Sequence, residues 1–218
     1  RWGLVVGAVM LTAACGDGDT TSTAVGDTTT EIDTTVDTAD AADTATAESS
    51  SPPAAIVIDD ADFGWALNGD GSARSGGIDV ELMGAFDATA DAVSFDGYTG
   101  HAVTSGPSPV DTTQSFALTA WVSYAKRSAF VAAIGLLGEE SYASALAIGD
   151  EGQWLFATKT KDVTGVENAV VVEGDAASPG GSWTHLAGVY DAEAGATALY
   201  VNGELAGEAS TGPLFAAG

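Results

Sequence analysis

The sequence is poor in cysteine and histidine. Cys15 is the only cysteine in 218 residues, and there are two histidines. A single cysteine cannot form an intrachain disulfide, so a folded domain must be stabilised by its hydrophobic core. The sequence also contains no His-Glu-x-x-His zinc motif and no Gly-x-Ser-x-Gly nucleophile motif. Zinc-dependent and serine-dependent catalysis are therefore not expected.

Basic residues are scarce as well. The chain has 6 Lys and Arg against 31 Asp and Glu, which gives a formal net charge of −25. Binding of nucleic acid requires clustered positive charge that neutralises phosphate groups. We therefore expect no nucleic-acid partner, and we interpret the acidic excess mainly as a source of solubility.

The chain begins with an apolar run at residues 2–14. This run is too short to span a bilayer as a mature helix but has the length of a signal-peptide core. It ends in Leu-Thr-Ala-Ala before Cys15, which resembles a bacterial lipobox with the leucine one place earlier than usual. We expect a lipoprotein signal peptide at 1–14, N-terminally incomplete, and a diacylglyceryl group on the Cys15 thiol. An ordinary signal peptide with an incidental cysteine is the alternative.

The lipid would place the protein in the bacterial cell envelope, at the outer membrane or the cell surface. The next segment, residues 15–55, starts with Cys15 and is rich in Thr, Asp and Ala; after the cysteine it has no aromatic and no basic residue. Such a composition cannot bury enough apolar surface to fold, so we expect a disordered, acidic stalk. The remaining residues, 56–218, are enough for one domain with its own core.

Within residues 56–218, the sequence near the C-terminal end alternates as β-strands do. Between 183 and 190, odd-numbered and even-numbered residues fall on opposite faces of a strand, and both sets are largely apolar. This predicts either a strand covered on both sides, or one with its second face under a loop or in a ligand groove. Asn202-Gly203 then fits a tight type I′ turn between two further strands. We therefore predict consecutive antiparallel hairpins.

These segments resemble the laminin-G-like, concanavalin A-like jelly-roll domains of bacterial surface proteins. The resemblance rests on GSWTHLAGVYD at 181–191, ALYVNGEL at 198–205, FGWAL at 63–67, AVSFDG at 92–97, SFALTAWV at 115–122 and GDEGQWLF at 149–156. It implies an all-β fold, an antiparallel β-sandwich of the concanavalin A-like jelly-roll type. Members of the family usually continue past the position of Gly218, and the chain starts with Arg1 rather than Met. We therefore expect missing C-terminal strands and an unpaired sheet edge, which favours aggregation.

The same sandwich supports glycoside hydrolases, which need two carboxylates across a cleft. Glu31 and Asp33 give the nearest match to the hydrolase strand motif, but they lie in the predicted stalk. Asp79 and Glu81 would share the exposed face of a half-buried strand. The adjacent pair at 139–140 fits a solvated loop. We therefore assign no catalytic residue and expect that the protein is not an enzyme.

A binding site is the remaining expectation. The tryptophans at 65, 121, 154 and 183 fall in strand motifs and are predicted to lie in the core, and His185 is predicted to be structural. The residues that could instead stack on a sugar ring are Tyr98, Tyr124, Tyr142 and Trp154. Many domains of the resembled family hold calcium at the rim of the sandwich, so calcium is a candidate cofactor. Its candidate ligands, all in predicted turns, are Asp70, Asp96 and Asp150.

Together these features predict a non-catalytic binding module on a lipid-anchored surface protein. A carbohydrate or glycoconjugate is the first candidate ligand. A protein-adhesion or structural module that binds a surface protein is the second, and an accessory domain of a glycoside hydrolase is the third. An aromatic groove would favour the sugar, a flat apolar patch a protein partner, and a facing carboxylate pair the hydrolase.

Overall fold

A computed structural model describes residues 4–13, 62–65, 67, 73–75, 78–89, 92–104, 106, 108–124, 130–176 and 182–218. All regular structure in these residues is β-strand, and every strand pairing is antiparallel. The predicted all-β, antiparallel fold is confirmed. No helix in the described residues is long and apolar enough to cross a membrane. The predicted stalk and Cys15 lie outside the described residues, which include none of 14–61.

The structure describes fifteen strands. Their bounds are β1 Leu4–Ala13, β2 Phe63–Trp65, β3 Ala73–Ser75, β4 Val80–Met83, β5 Phe86–Ala88, β6 Val93–Phe95, β7 His101–Thr104, β8 Phe116–Tyr124, β9 Val131–Leu137, β10 Tyr142–Ile148, β11 Gln153–Lys159, β12 Ala169–Ala176, β13 Trp183–Asp191, β14 Ala196–Val201 and β15 Glu204–Ser210.

The larger sheet has the order β15-β14-β13-β8-β1-β2-β3, with β6 also paired to β1 and β5 paired to β6. The predicted hairpins form its β13-β14-β15 part. Asn202 and Gly203 have φ of 52° and 85°, as a type I′ turn requires. The Asn202 side chain accepts a hydrogen bond from the His185 amide at 2.9 Å, which ties this turn to the neighbouring strand.

A second sheet has the order β12-β11-β10-β9, and β4 pairs with β7 in a separate two-stranded ribbon. The core lies between the two larger sheets, because the even-numbered residues of β8 and β13 face the second sheet. Leu118, Leu186, Phe156 and Leu146 are all fully buried there. Gly188 of β13 allows close approach, since a Cβ at this position would lie 2.2 Å from the Phe156 ring.

The odd-numbered residues of β8 and β13 lie on the opposite face of the larger sheet. Trp121 and Trp183 are only partly buried there, whereas Trp65 and Trp154 are in the core. The prediction of a core position was therefore wrong for Trp121 and Trp183, because strand alternation directs both away from the second sheet. His185 packs against Trp121 with ring centroids 5.1 Å apart, and burial lowers its pKa.

Residues 4–13, predicted to belong to a signal peptide, form β1 in this structure. This strand pairs with β8 along its length, from Leu4 opposite Tyr124 to Ala13 opposite Phe116. On its other side it pairs with β2 and β6. Cleavage before Cys15 would remove this strand from the sheet. Residues 4–13 can therefore not be both a cleaved signal peptide and a strand of the mature domain.

Candidate functional site

The candidate site is a cleft of about 690 Å³ between β9 and β7, which we name the β7–β9 cleft. Trp65, Leu67 and Phe95, which belong to the hydrophobic core, also contribute to its lining. In the described part of the chain, none of the lining side chains is a carboxylate, a lysine or an arginine, and the ionisable ones are His101 and Tyr98. A described lining without acidic side chains is a distinctive feature on a chain with a net charge of −25.

One wall of the cleft is β9 with its flanking residues. The stretch 130–138 reads FVAAIGLLG, without a charge or a proline. Within the described residues β9 is an edge strand, paired with β10 on one side only. Edge strands are usually protected by charge, proline or a covering segment. This wall therefore presents backbone hydrogen-bonding groups and apolar side chains, including Leu137, which is 65 % exposed.

A second part of the lining comes from β7 and from Gly97, Tyr98 and Gly100 of the preceding loop at 96–100. The Asp96 carboxylate accepts hydrogen bonds from the amides of Tyr98, Thr99 and Gly100 at 3.0, 2.8 and 2.8 Å, and from the Thr99 hydroxyl at 3.0 Å. These backbone donors favour the ionised form and hold the pKa of Asp96 well below its usual range. Asp96 therefore fixes the loop that carries Tyr98.

Two hydrogen bonds to Ala85 also hold this loop in place. The Ala85 carbonyl accepts from the Asp96 amide at 3.2 Å, and the Ala85 amide donates to the Thr99 hydroxyl at 3.2 Å. Gly84 has φ of 70°, and a Cβ on it would lie 2.0 Å from the Thr99 carbonyl oxygen, so glycine is required for this approach. At the start of β7, His101 Nδ1 donates to the Thr99 carbonyl at 2.8 Å.

Two aromatic rings are open to solvent at the cleft. Tyr98 is 81 % exposed and Phe130 is 48 % exposed. Trp65, by contrast, is fixed within the fold, since its indole Nε1 donates to the Ile78 carbonyl at 2.5 Å. Exposed rings provide flat apolar surfaces on which a ring-shaped ligand can stack. Thr104 and Ser108 add hydroxyl groups to the lining.

The four predicted sugar-stacking residues do not come together. Tyr98 lies at the cleft, as described above. Tyr124 and Trp154 are core residues, 5 % and 4 % exposed, so neither ring face is open in this structure. Tyr142 begins β10, and the Lys159 ammonium lies 5.1 Å from the centroid of the Tyr142 ring. Burial raises the pKa of the Tyr142 hydroxyl. Only the loop tyrosine therefore has the exposure that stacking requires.

The candidate calcium ligands are also separated. The Asp96 carboxylate is occupied by the loop amides, Asp150 is exposed in the turn between β10 and β11, and Asp70 lies outside the described residues. In the part of the chain that the structure describes, no three His, Cys, Asp or Glu side chains lie close enough together to hold a metal ion. Calcium binding stays a prediction.

Phe130 and the whole β9 wall were not predicted from the sequence. The signal was present in the sequence, because 130–138 is a nine-residue uncharged stretch in a strongly acidic chain. An apolar stretch of this kind fits a buried strand equally well, however. Only the pairing order shows that one side of β9 faces a cleft.

Comparison with known families identifies the domain. A family model described as the concanavalin A-like lectin/glucanases superfamily matches residues 96–218, which is more than half of the chain. The chain belongs to this superfamily. The superfamily match begins at Asp96, so it includes β7, β9 and the Tyr98 loop but not Trp65 and Leu67. No curated protein and no solved structure matched the chain.

Proposed function

We propose that this superfamily domain is a non-catalytic binding module that holds a carbohydrate or glycoconjugate in the β7–β9 cleft. The observation that carries the proposal is the pair of exposed rings, Tyr98 and Phe130, which line one cleft whose described side chains include no carboxylate, lysine or arginine. Sugar rings present apolar C–H faces, so exposed aromatic rings suit them. Backbone groups of β9 and the hydroxyls of Thr104 and Ser108 supply hydrogen-bonding partners for sugar hydroxyls.

The charge of the protein indicates which class of carbohydrate it binds. A net charge of −25 repels acidic glycans, and the described cleft lining offers no lysine or arginine to bind them. The ligand is therefore a neutral glycan. The non-catalytic role is supported by the described lining, which lacks the facing carboxylate pair that glycoside hydrolysis requires.

The test is binding to a glycan array, followed by titration of the bound class in calcium and in chelator. Tyr98→Ala should weaken binding by about tenfold or more, since a stacking ring contributes on the order of 1 kcal/mol beyond its buried area. Tyr98→Phe should retain most of the affinity. Phe86→Ala is the matched control, because Phe86 is 42 % exposed but does not line the cleft.

Three outcomes are informative. Equal affinity of Tyr98→Ala and the unmodified chain for a bound glycan would place the sugar elsewhere. No binding to any neutral glycan by folded protein would reject the carbohydrate proposal. Binding that is lost in chelator would establish the calcium site that the family resemblance implies.

A second candidate is adhesion to a surface protein, favoured by the open edge of β9. An extended polypeptide can add to such an edge through backbone hydrogen bonds, with side-chain pockets supplying specificity. Leu137→Lys would place a charge on this edge and should block strand addition, while it leaves the Tyr98 loop unchanged. Sugar recognition and strand addition are thus distinguishable by comparing Tyr98→Ala with Leu137→Lys.

The proposed setting is the bacterial cell envelope, with the domain anchored through a lipid on Cys15. The support is the apolar run at residues 2–14 and the small residues before Cys15. The acidic segment after Cys15 would hold the domain away from the membrane surface.

A further inference from the structure

Lys159 is the last residue of β11. It is 1 % exposed and is the one Lys, Arg, Asp or Glu side chain among the fully buried residues of the described structure. Removing an ammonium group from water costs several kcal/mol unless the protein replaces its hydration shell. The environment of this lysine must therefore act as a substitute for water.

Three oxygen atoms surround the ammonium group. Nζ donates to the Ser141 hydroxyl at 2.7 Å, the Val163 carbonyl at 2.8 Å and the Gly165 carbonyl at 2.5 Å. An ammonium group has three N–H donors, so each finds one acceptor. The Tyr142 ring lies 5.1 Å away and adds a cation–π contact. All four partners are neutral groups.

These contacts join two separate parts of the chain. Ser141 and Tyr142 lie where β10 begins, whereas Val163 and Gly165 belong to the connection between β11 and β12. That connection has little apolar support of its own, because Val163 is 39 % exposed and Val166 is 85 % exposed. Its position therefore depends on polar contacts.

A carboxylate from the same connection reinforces the junction. Asp162 accepts hydrogen bonds from the amides of Glu139, Glu140 and Ser141 at 2.8, 3.1 and 2.8 Å. A Cβ on Gly138 would lie 2.6 Å from Asp162 Oδ2, so only glycine fits beside this carboxylate. Lys159 at the end of β11 and Asp162 in the β11–β12 connection thus both bind the turn between β9 and β10.

We propose that these four groups form a binding site for a primary ammonium ion, which Lys159 fills with its own tethered ammonium. The Ser141 hydroxyl, the two carbonyl groups and the Tyr142 ring supply hydrogen-bond acceptors and a cation–π face, the chemistry that recognises such ions. The occupied site orders the junction in the way that a bound metal ion orders loops in other proteins. Because Leu137 and Gly138 line the cleft just before this turn, the site also fixes one end of the β7–β9 cleft.

The experiment removes the Lys159 side chain and supplies a primary ammonium ion separately. Lys159→Ala removes Cγ, Cδ, Cε and Nζ, which correspond to the heavy atoms of n-propylammonium. This ion is therefore the probe. The variant should lose exchange protection at the amides of Glu139, Glu140 and Ser141 by at least about tenfold, as loss of charge-assisted hydrogen bonds implies. n-Propylammonium chloride should restore protection and the melting temperature with saturation.

Tetramethylammonium chloride and sodium chloride at the same concentration are the negative controls, because neither cation donates N–H hydrogen bonds. Lys161→Ala is the matched variant, since Lys161 is an exposed lysine two residues further along the chain. It should leave protection unchanged and show no response to n-propylammonium.

Lys159→Met covers the case in which Lys159→Ala does not fold, because it keeps an apolar chain of similar length without the charge. It should fold and yet lose protection at the 139–141 amides. The proposal is overturned if Lys159→Met retains that protection, or if n-propylammonium and tetramethylammonium act alike on Lys159→Ala.

Discussion

Aspartates in the folded part of the chain act as caps for turns. The Asp96, Asp162 and Asp191 carboxylates each accept hydrogen bonds from two or three backbone amides of a nearby turn. Asp111 accepts from both the amide and the hydroxyl of Thr113 in the same way. Asp96, which the sequence suggested as a calcium ligand, thus satisfies backbone donors that would otherwise lack partners.

For Asp96 this arrangement predicts a particular pH dependence. Because its pKa in the folded protein lies below the ordinary value of 3.8, its contribution to stability is present above that value and is lost as the pH falls further. The Tyr98, Thr99 and Gly100 amide chemical shifts should therefore show no carboxylate titration step at or above pH 3.8. An NMR titration measures this directly.

Asp96→Asn should displace these amide shifts at every pH and abolish their acid titration, since the amide side chain carries no charge. Asp111→Asn is the matched control on another capped turn. A titration step of the 98–100 amides above the ordinary carboxyl value that is lost in Asp96→Asn would contradict the assigned role of Asp96.

Gly188 provides a second prediction for a single residue. Gly188→Ala would place a methyl group 2.2 Å from Phe156, in the packed space between the two sheets. Overpacking of this kind costs about 1–3 kcal/mol in the free energy of unfolding. Urea denaturation should show the loss, without a change in far-UV circular dichroism.

Gly135→Ala is the control for Gly188→Ala. Gly135 is also in a strand, but its added Cβ would make only ordinary contacts, the nearest at 3.6 Å. An equal loss of stability in both variants would show that the cost comes from the backbone and not from contact with Phe156.

At the scale of elements, β9 predicts self-association. Among the described residues one edge of β9 has no partner strand and carries no charge, and such an edge can pair with a second chain. We expect concentration-dependent association of the unmodified protein, measurable by analytical ultracentrifugation. Leu137→Lys should reduce it, because a buried ammonium group opposes strand pairing.

Val166→Lys makes the same change of charge in an exposed loop residue, and it should have a smaller effect. Equal suppression of association by both variants would show that net charge, rather than the β9 edge, is responsible. A monomeric unmodified protein at high concentration would contradict the prediction altogether.

At the scale of the whole molecule, a protein that is cleaved for lipid attachment at Cys15 cannot keep β1, because β1 precedes the cleavage site. Processing before Cys15 would remove β1 and leave the edges of β8, β2 and β6 without this partner. Mass spectrometry of protein isolated from membranes should find Cys15 as the first residue, with a diacylglyceryl thioether.

Cys15→Ser should prevent both cleavage and membrane attachment, because the thiol is the site of lipid transfer. Cys15→Ala tests the same group with a smaller change of polarity. A mature protein that retains residues 4–13 would instead support β1 as a permanent strand of the sheet.

The sequence by itself determined the local features of this protein. Alternation in β13, the Asn202-Gly203 turn and the short strand motifs depend on neighbours in the chain, so the all-β, antiparallel fold was predictable. The same local reasoning grouped Tyr98 with Tyr124 and Tyr142 as residues for stacking, but only Tyr98 lies in a loop, because Tyr124 ends β8 and Tyr142 begins β10.

Only the tertiary structure decided which residues meet. It buried Trp154 and Tyr124, directed Trp121 and Trp183 to the outer face, and placed β9 across a cleft from β7. It also enclosed Lys159 among groups of β10 and the β11–β12 connection. The physical reason is that strand order and sheet packing bring together residues far apart in sequence, and no local pattern encodes that pairing.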